Sequence, residues 1–109
     1  MSTVQTKIKT MNLVEQNKTT IDNLCKNHGV EKLYLFGSAA SGNLKSASDI
    51  DLLVRFGNVD LYNYFDNYLD FKTEMEKLLN RTVDLVEEQT IKNPVLKLSI
   101  DRNKKLIYG

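Results

Sequence analysis

A chain of 109 residues with 41% hydrophobic and 27% charged side chains is one ordinary globular domain, with room for a single core and not for two. Its net charge of +1 lacks the footprint of a nucleic-acid binder, although a local basic patch can hide in a neutral sum. No run approaches the roughly 18 apolar residues of a membrane span, and the polar start Met1-Ser2-Thr3-Val4-Gln5 lacks the long apolar region of a secretion signal. Cys25, the single cysteine, has no internal disulfide partner and fits a reducing compartment. The expected location is therefore the cytoplasm.

Residues 1–12 are polar and weakly periodic and read as an N-terminal arm, with the domain proper over 13–109. Val14, Ile21, Leu24 and Cys25 mark a loose helical stripe from about Leu13, closed at Asn27-His28-Gly29, a helix-stop signal. Cys25 is expected in the core, and His28 at the helix end. The sequence sets no Cys or His ligand beside His28, so metal binding there ranks second. Lys32 to Phe36 alternates as a strand and stops at Gly37-Ser38. Ala39 to Ser48 is small and polar, with room for a short helical piece around Ser38–Ser41. Ile50 to Phe56 is the second strand.

Leu61, Tyr64, Phe65, Tyr68, Phe71, Met75, Leu78 and Leu79 mark one face of a long helix, with Asp60 as its N-cap. The aromatics on it are expected in the core rather than as a base-stacking surface. Thr82 to Val86 is a third strand. Asn93-Pro94 opens a last helix as N-cap and first helical residue, running to about Asp101. Lys105 to Tyr108 is a final short strand. The stretch between the first two strands is too short for a long crossover helix, which predicts an α/β (α+β) domain with a mixed sheet flanked by helices.

Three features carry chemistry. Asp49 and Asp51 flank Ile50 at the head of the apolar strand, and alternation sends residues i and i+2 to the same face. Two adjacent carboxylates repel and are costly to desolvate unless a cation neutralises them; Mg²⁺, which takes hard oxygen ligands and completes its shell with substrate phosphates, suits them. Gly37-Ser38 at a strand end lets the backbone approach a phosphate and offers a hydroxyl and an N–H. Asp84 is a lone carboxylate in the apolar strand Val83–Val86 and calls for the same cation. Singly, each has a plain explanation as a turn, a solvated edge pair or a solvent-facing residue. Their combination points to phosphate chemistry.

Gly37-Ser38 followed by Asp49-Ile50-Asp51, with Leu35-Phe36 before it, Leu52-Leu53-Val54 after it and Asp84 in Val-Asp-Leu-Val, resembles the signature of the minimal nucleotidyltransferases of the DNA polymerase β superfamily. The resemblance spans roughly residues 30–108 and implies a nucleotidyltransferase-like fold. It implies that Asp49 and Asp51 hold two Mg²⁺ ions about 3.5–4 Å apart, that Asp84 binds one of them and aids deprotonation of the acceptor hydroxyl, and that Gly37 and Ser38 cradle the β- and γ-phosphates of ATP. Lys45 reads as a solvated lysine outside this set.

Family members of this size commonly act as antitoxins beside a HEPN-domain ribonuclease. The resemblance therefore implies transfer of AMP from ATP to a tyrosine hydroxyl of a HEPN toxin partner. Two other readings stand beside it: an antitoxin that neutralises by binding alone, and a nucleotidyltransferase acting on a nucleic acid or a small molecule. The near-neutral charge argues against a nucleic acid as direct partner. Homo-oligomerisation is left open.

Overall fold

The computed structural model describes residues 13–36 and 50–109. Helix α1 (Lys18–Asn27) leads into strand β1 (Val30–Phe36), followed by β2 (Ile50–Phe56), helix α2 (Tyr64–Leu79), β3 (Val83–Glu87), helix α3 (Pro94–Asn103) and β4 (Lys105–Tyr108). Short 3₁₀ turns at Leu61–Asn63 and Glu88–Thr90 precede α2 and follow β3. The sheet runs β3-β2-β1-β4. β1 pairs antiparallel with β2 and β4, while β2 and β3 are parallel and joined through α2. This is the expected mixed sheet. A parallel pair needs a long crossover, and the β2–β3 connection supplies it with α2.

One sheet face carries the core. Ile50, Leu52, Val54 and Phe56 alternate along β2 and join Leu33, Leu35, Val83, Leu85 and Ile107 from the other strands. Ile21 and Cys25 of α1 and Phe71, Met75 and Leu79 of α2 cover them, the i, i+4, i+8 spacing keeping the α2 set in one line. Burial, and then the nearby Asp22, push the Cys25 thiol up to about 12, so it is a packed core group and not a nucleophile.

Local signals set the element ends. Asn17 interrupts the first helical segment, its side-chain amide donating to the Leu13 carbonyl at 2.8 Å. Gly29, at φ +69, takes the left-handed turn out of α1, and a Cβ there would meet Val59 at 2.9 Å. His28 sits at the helix end as expected. Its Nδ1 faces the Leu24 carbonyl at 2.7 Å and its Nε2 faces the Asp70 carboxylate at 2.6 Å, which ties α1 to α2. The Asn93 side chain accepts from the amides of Val95 and Leu96 at 2.9 and 3.2 Å and starts α3.

Two expectations for α2 need correction. Asp60 caps the preceding 3₁₀ turn, accepting from the Tyr62 amide at 3.1 Å, rather than α2 itself. Leu61 and Phe65, assigned by periodicity to the buried face, are 87% and 67% exposed. Leu61 belongs to the 3₁₀ turn before the helix, and Phe65 lies about 100° around the helix from Tyr64, off the line that Tyr64, Tyr68, Phe71 and Met75 present to the core. Tyr64 and Tyr68 are half-buried instead, and their hydroxyls donate to Glu87 and to the Leu85 carbonyl. They lace α2 along the outer edge of β3, where a backbone acceptor would otherwise lack a strand partner.

Candidate active site

The site grows from one register. Asp51 is the second residue of β2 and Asp84 the second residue of β3, and the parallel ladder sets them opposite each other. Parallel neighbours point to the same side, and adjacent strands lie about 4.8 Å apart. Their flanking residues Ile50, Leu52, Val83 and Leu85 all point into the core; the two acids share the opposite face. Asp51 is half-buried and Asp84 exposed.

The pair stands at one edge of the sheet. Asp51 is opposite Phe36, the last residue of β1, and the Ile50 amide donates to the Thr82 carbonyl at 2.9 Å where the β2–β3 ladder begins. The end of β1 and the starts of β2 and β3 thus converge there, the arrangement that brings residues remote in sequence to one place. Gly37, Ser38 and Asp49 lie outside the described residues. Among the described residues no cluster of three or more His, Cys, Asp or Glu side chains could hold a metal. The carboxylates of Asp51 and Asp84 suit a hard divalent cation in donor chemistry.

On the helix-covered side of β3 the Tyr68 hydroxyl is pushed up by burial first, then by Glu87 and Asp84, and Tyr64 rises to about 12 through burial and its bond to Glu87. Arg81, three residues before Asp84, has a buried Nη1 without a hydrogen-bond partner among the described residues. It lines a cavity of about 410 Å³ with Thr73, Glu76, Lys77, Asn80 and Thr82 at the end of α2. Further along the acid face, Arg55 lies between Glu31 at 3.6 Å and Glu88 at 3.7 Å, and Lys104 joins Glu88 at 3.3 Å and Asp101 at 2.9 Å. Sequence reasoning missed this network and the two tyrosine hydroxyls. No local motif announces them, because each joins elements far apart in the chain.

Comparison with known proteins agrees with the geometry. Residues 18–109 match the family described as polymerase beta, nucleotidyltransferase. A candidate protein adenylyltransferase of Methanocaldococcus jannaschii is 40% identical over 79 residues, covering 72% of this chain and 76% of that protein. The protein adenylyltransferase MntA of Thermococcus cleftensis is 33% identical over 69 residues, covering 63% of this chain and 67% of that one. Among solved structures, a candidate minimal nucleotidyltransferase superposes with a TM-score of 0.70 at 30% identity, covering 84% of this chain and 89% of its own. A toxin–antitoxin crystal structure with AMP-PNP gives 0.65 at 25% identity, covering 85% and 73%.

Proposed function

The chain belongs to the polymerase beta nucleotidyltransferase family, and from that premise we propose that it is an antitoxin-type protein adenylyltransferase, moving AMP from ATP to a tyrosine hydroxyl of a HEPN-domain toxin. The observation that carries the chemistry is the in-register pair Asp51 and Asp84 on one face of the parallel β2–β3 ladder. The acceptor class is supported by relatives named protein adenylyltransferase and by the fold shared with a chain of a toxin–antitoxin crystal structure with AMP-PNP.

In the proposed reaction the tyrosine oxygen attacks the α-phosphorus of ATP. The bond from that phosphorus to the β-phosphate oxygen breaks, pyrophosphate leaves, and a phosphodiester to AMP remains on the tyrosine. The hydroxyl proton passes to a carboxylate, with Asp84 the receiving group because it is the exposed member of the pair. Asp49, Asp51 and Asp84 would hold two Mg²⁺ ions, which supply positive charge to the attacking and leaving oxygens when bound. Gly37 and Ser38 position the β- and γ-phosphates through close backbone approach and donated hydrogen bonds.

The test is incubation of the chain with α-labelled ATP, Mg²⁺ and the HEPN-domain product of its neighbouring gene. Label on a partner tyrosine, absent with Asp51→Asn, is the expected result. Neutralisation of the toxin that survives Asp51→Asn with no label transferred would establish the binding-only antitoxin instead. Label on an RNA or a small molecule and none on protein would move the acceptor to another class.

A further inference from the structure

Helix α3 is thinly attached for its length. Ile100 is its buried residue, while Val95, Leu96 and Leu98 are 76%, 51% and 55% exposed. On a helical wheel Val95, Leu98 and Arg102 lie at i, i+3 and i+7, on the side away from Ile100. Leu106 of the edge strand β4 is also exposed, at 54%. Exposed large apolar residues scattered singly are ordinary; a continuous ridge of them marks an interaction surface.

The surroundings of this ridge are basic. Between 91 and 105 the sequence holds Lys92, Lys97, Arg102, Lys104 and Lys105 against Asp101 alone, in a chain whose net charge is +1. Asp101 is already engaged by Lys97 at 3.5 Å and Lys104 at 2.9 Å, and among the described residues neither Lys92 nor Arg102 is held in an ion pair, which leaves them to face an external partner. The exposed apolar groups are aliphatic, without the aromatic platforms on which nucleic-acid bases stack. A protein surface with an apolar centre and an acidic rim is the complement.

Position gives the ridge its meaning. Lys104, immediately after α3, sits over the Tyr34 ring at 4.2 Å from its centroid, and Tyr34 is paired with Leu53. Leu53 is buried yet stands outside the main core cluster, on the β2 face shared with Asp51. They stand two positions apart along the strand, about 7 Å. The end of α3 is thus anchored on the sheet face that carries the acid pair, over the neighbouring strand β1.

We propose that the ridge of Val95, Leu98 and Arg102 is the docking surface for the acceptor protein, an apolar surface with an acidic rim, and that docking there sets the acceptor hydroxyl over Asp51 and Asp84. The proposal rests on the protein-adenylyltransferase reading and names the surface that reading requires. A second exposed stripe, Leu61, Tyr62, Phe65 and Leu69, lies beside Asp60, Asp66 and Asp70. Its charge is opposite in sign, so a second copy of this chain is the rival occupant.

The test uses Leu98→Glu and Arg102→Glu in the full chain, both at exposed positions that leave Ile100 and the Asn93 cap intact. Binding to the HEPN-domain product of the neighbouring gene and steady-state label transfer are measured together with AMP-PNP affinity and mass in solution. The expected result is at least a tenfold rise in acceptor Kd and KM, with kcat and AMP-PNP affinity held within twofold. Added salt should raise the wild-type KM and leave that of Arg102→Glu less affected. Unchanged acceptor Kd and KM in both variants overturns the proposal and leaves the transfer reading standing. So does a wild-type dimer that dissociates with Leu98→Glu, or an oligonucleotide bound by the wild type and released by Arg102→Glu. If the wild type transfers no AMP, the functional reading falls while the binding measurement still decides the surface.

Discussion

Replacing Asp84 with Asn separates chemistry from folding more cleanly than any other single change. The substitution is nearly isosteric, and the position is exposed on the outer strand of the sheet, where surface changes usually stay within about 0.5 kcal/mol. Removing its charge also relieves repulsion with Asp51, opposite in the ladder. At about 4.8 Å with a water-like dielectric, that repulsion is worth roughly 0.9 kcal/mol. The protein without nucleotide should therefore melt at the wild-type temperature or up to about 4 °C above it.

Catalysis should respond in the opposite direction. Removing one preorganised charged group from a reacting site costs about 10²–10³ in rate, or roughly 2.7–4 kcal/mol of barrier. Because Asp51 and Asp84 serve one site, the double variant should be scarcely worse than either single one. Calorimetric melting with and without Mg²⁺ and AMP-PNP, beside label transfer, measures both arms: added Mg²⁺ and nucleotide should raise the wild-type melting temperature and leave the variant nearly unmoved. Retention of more than a tenth of the transfer rate, or a fall of several degrees in the nucleotide-free melting temperature, would refute the assignment of Asp84 to the site.

Other outcomes follow from the packing and the caps. Phe71, fully buried between His28 and Phe56, should cost about 3–5 kcal/mol as Phe71→Ala by denaturant unfolding; a loss under 1 kcal/mol would contradict its central place. The Cys25 thiol, pushed up to about 12 from 9.0, holds its proton in the folded state while the unfolded chain gives it up. Its contribution is intact below pH 9 and is lost as pH rises toward 12, by about 1.4 kcal/mol at pH 10. Unfolding of wild type and Cys25→Ala as a function of pH should show that difference, and parallel curves would refute it. Asn93→Ala removes the acceptor for two amides of α3 and should cost about 1 kcal/mol, with hydrogen exchange rising in that helix first; unchanged protection at Val95 and Leu96 would show the cap to be idle.

The sequence alone settled what short-range chemistry decides. Asn93-Pro94 and Gly29 stop and start elements through their own backbone preferences, and alternation in Ile50–Phe56 separates core residues from Asp51 without reference to another strand. The Gly-Ser and Asp-x-Asp spacing carried the family. The connection lengths carried the mixed sheet, since they limit which strands can run parallel.

The tertiary structure alone decided which side chains meet. Asp84 lies beyond a whole helix from Asp51, and nothing local in Val-Asp-Leu-Val fixes its register; the β2–β3 ladder, zipped by burial of Val83 and Leu85, sets the two acids abreast. The extent of burial along α2 was equally invisible. Periodicity names a face but not its width, so Leu61, in the turn before the helix, and Phe65, on the flank of the stripe, were assigned to a core that takes Tyr64 and Tyr68 instead. The tyrosine hydroxyls on β3, the His28–Asp70 contact and the basic apolar ridge of α3 share one cause. Each depends on where a distant element comes to rest, and that is settled by collective packing rather than by any neighbour in the chain.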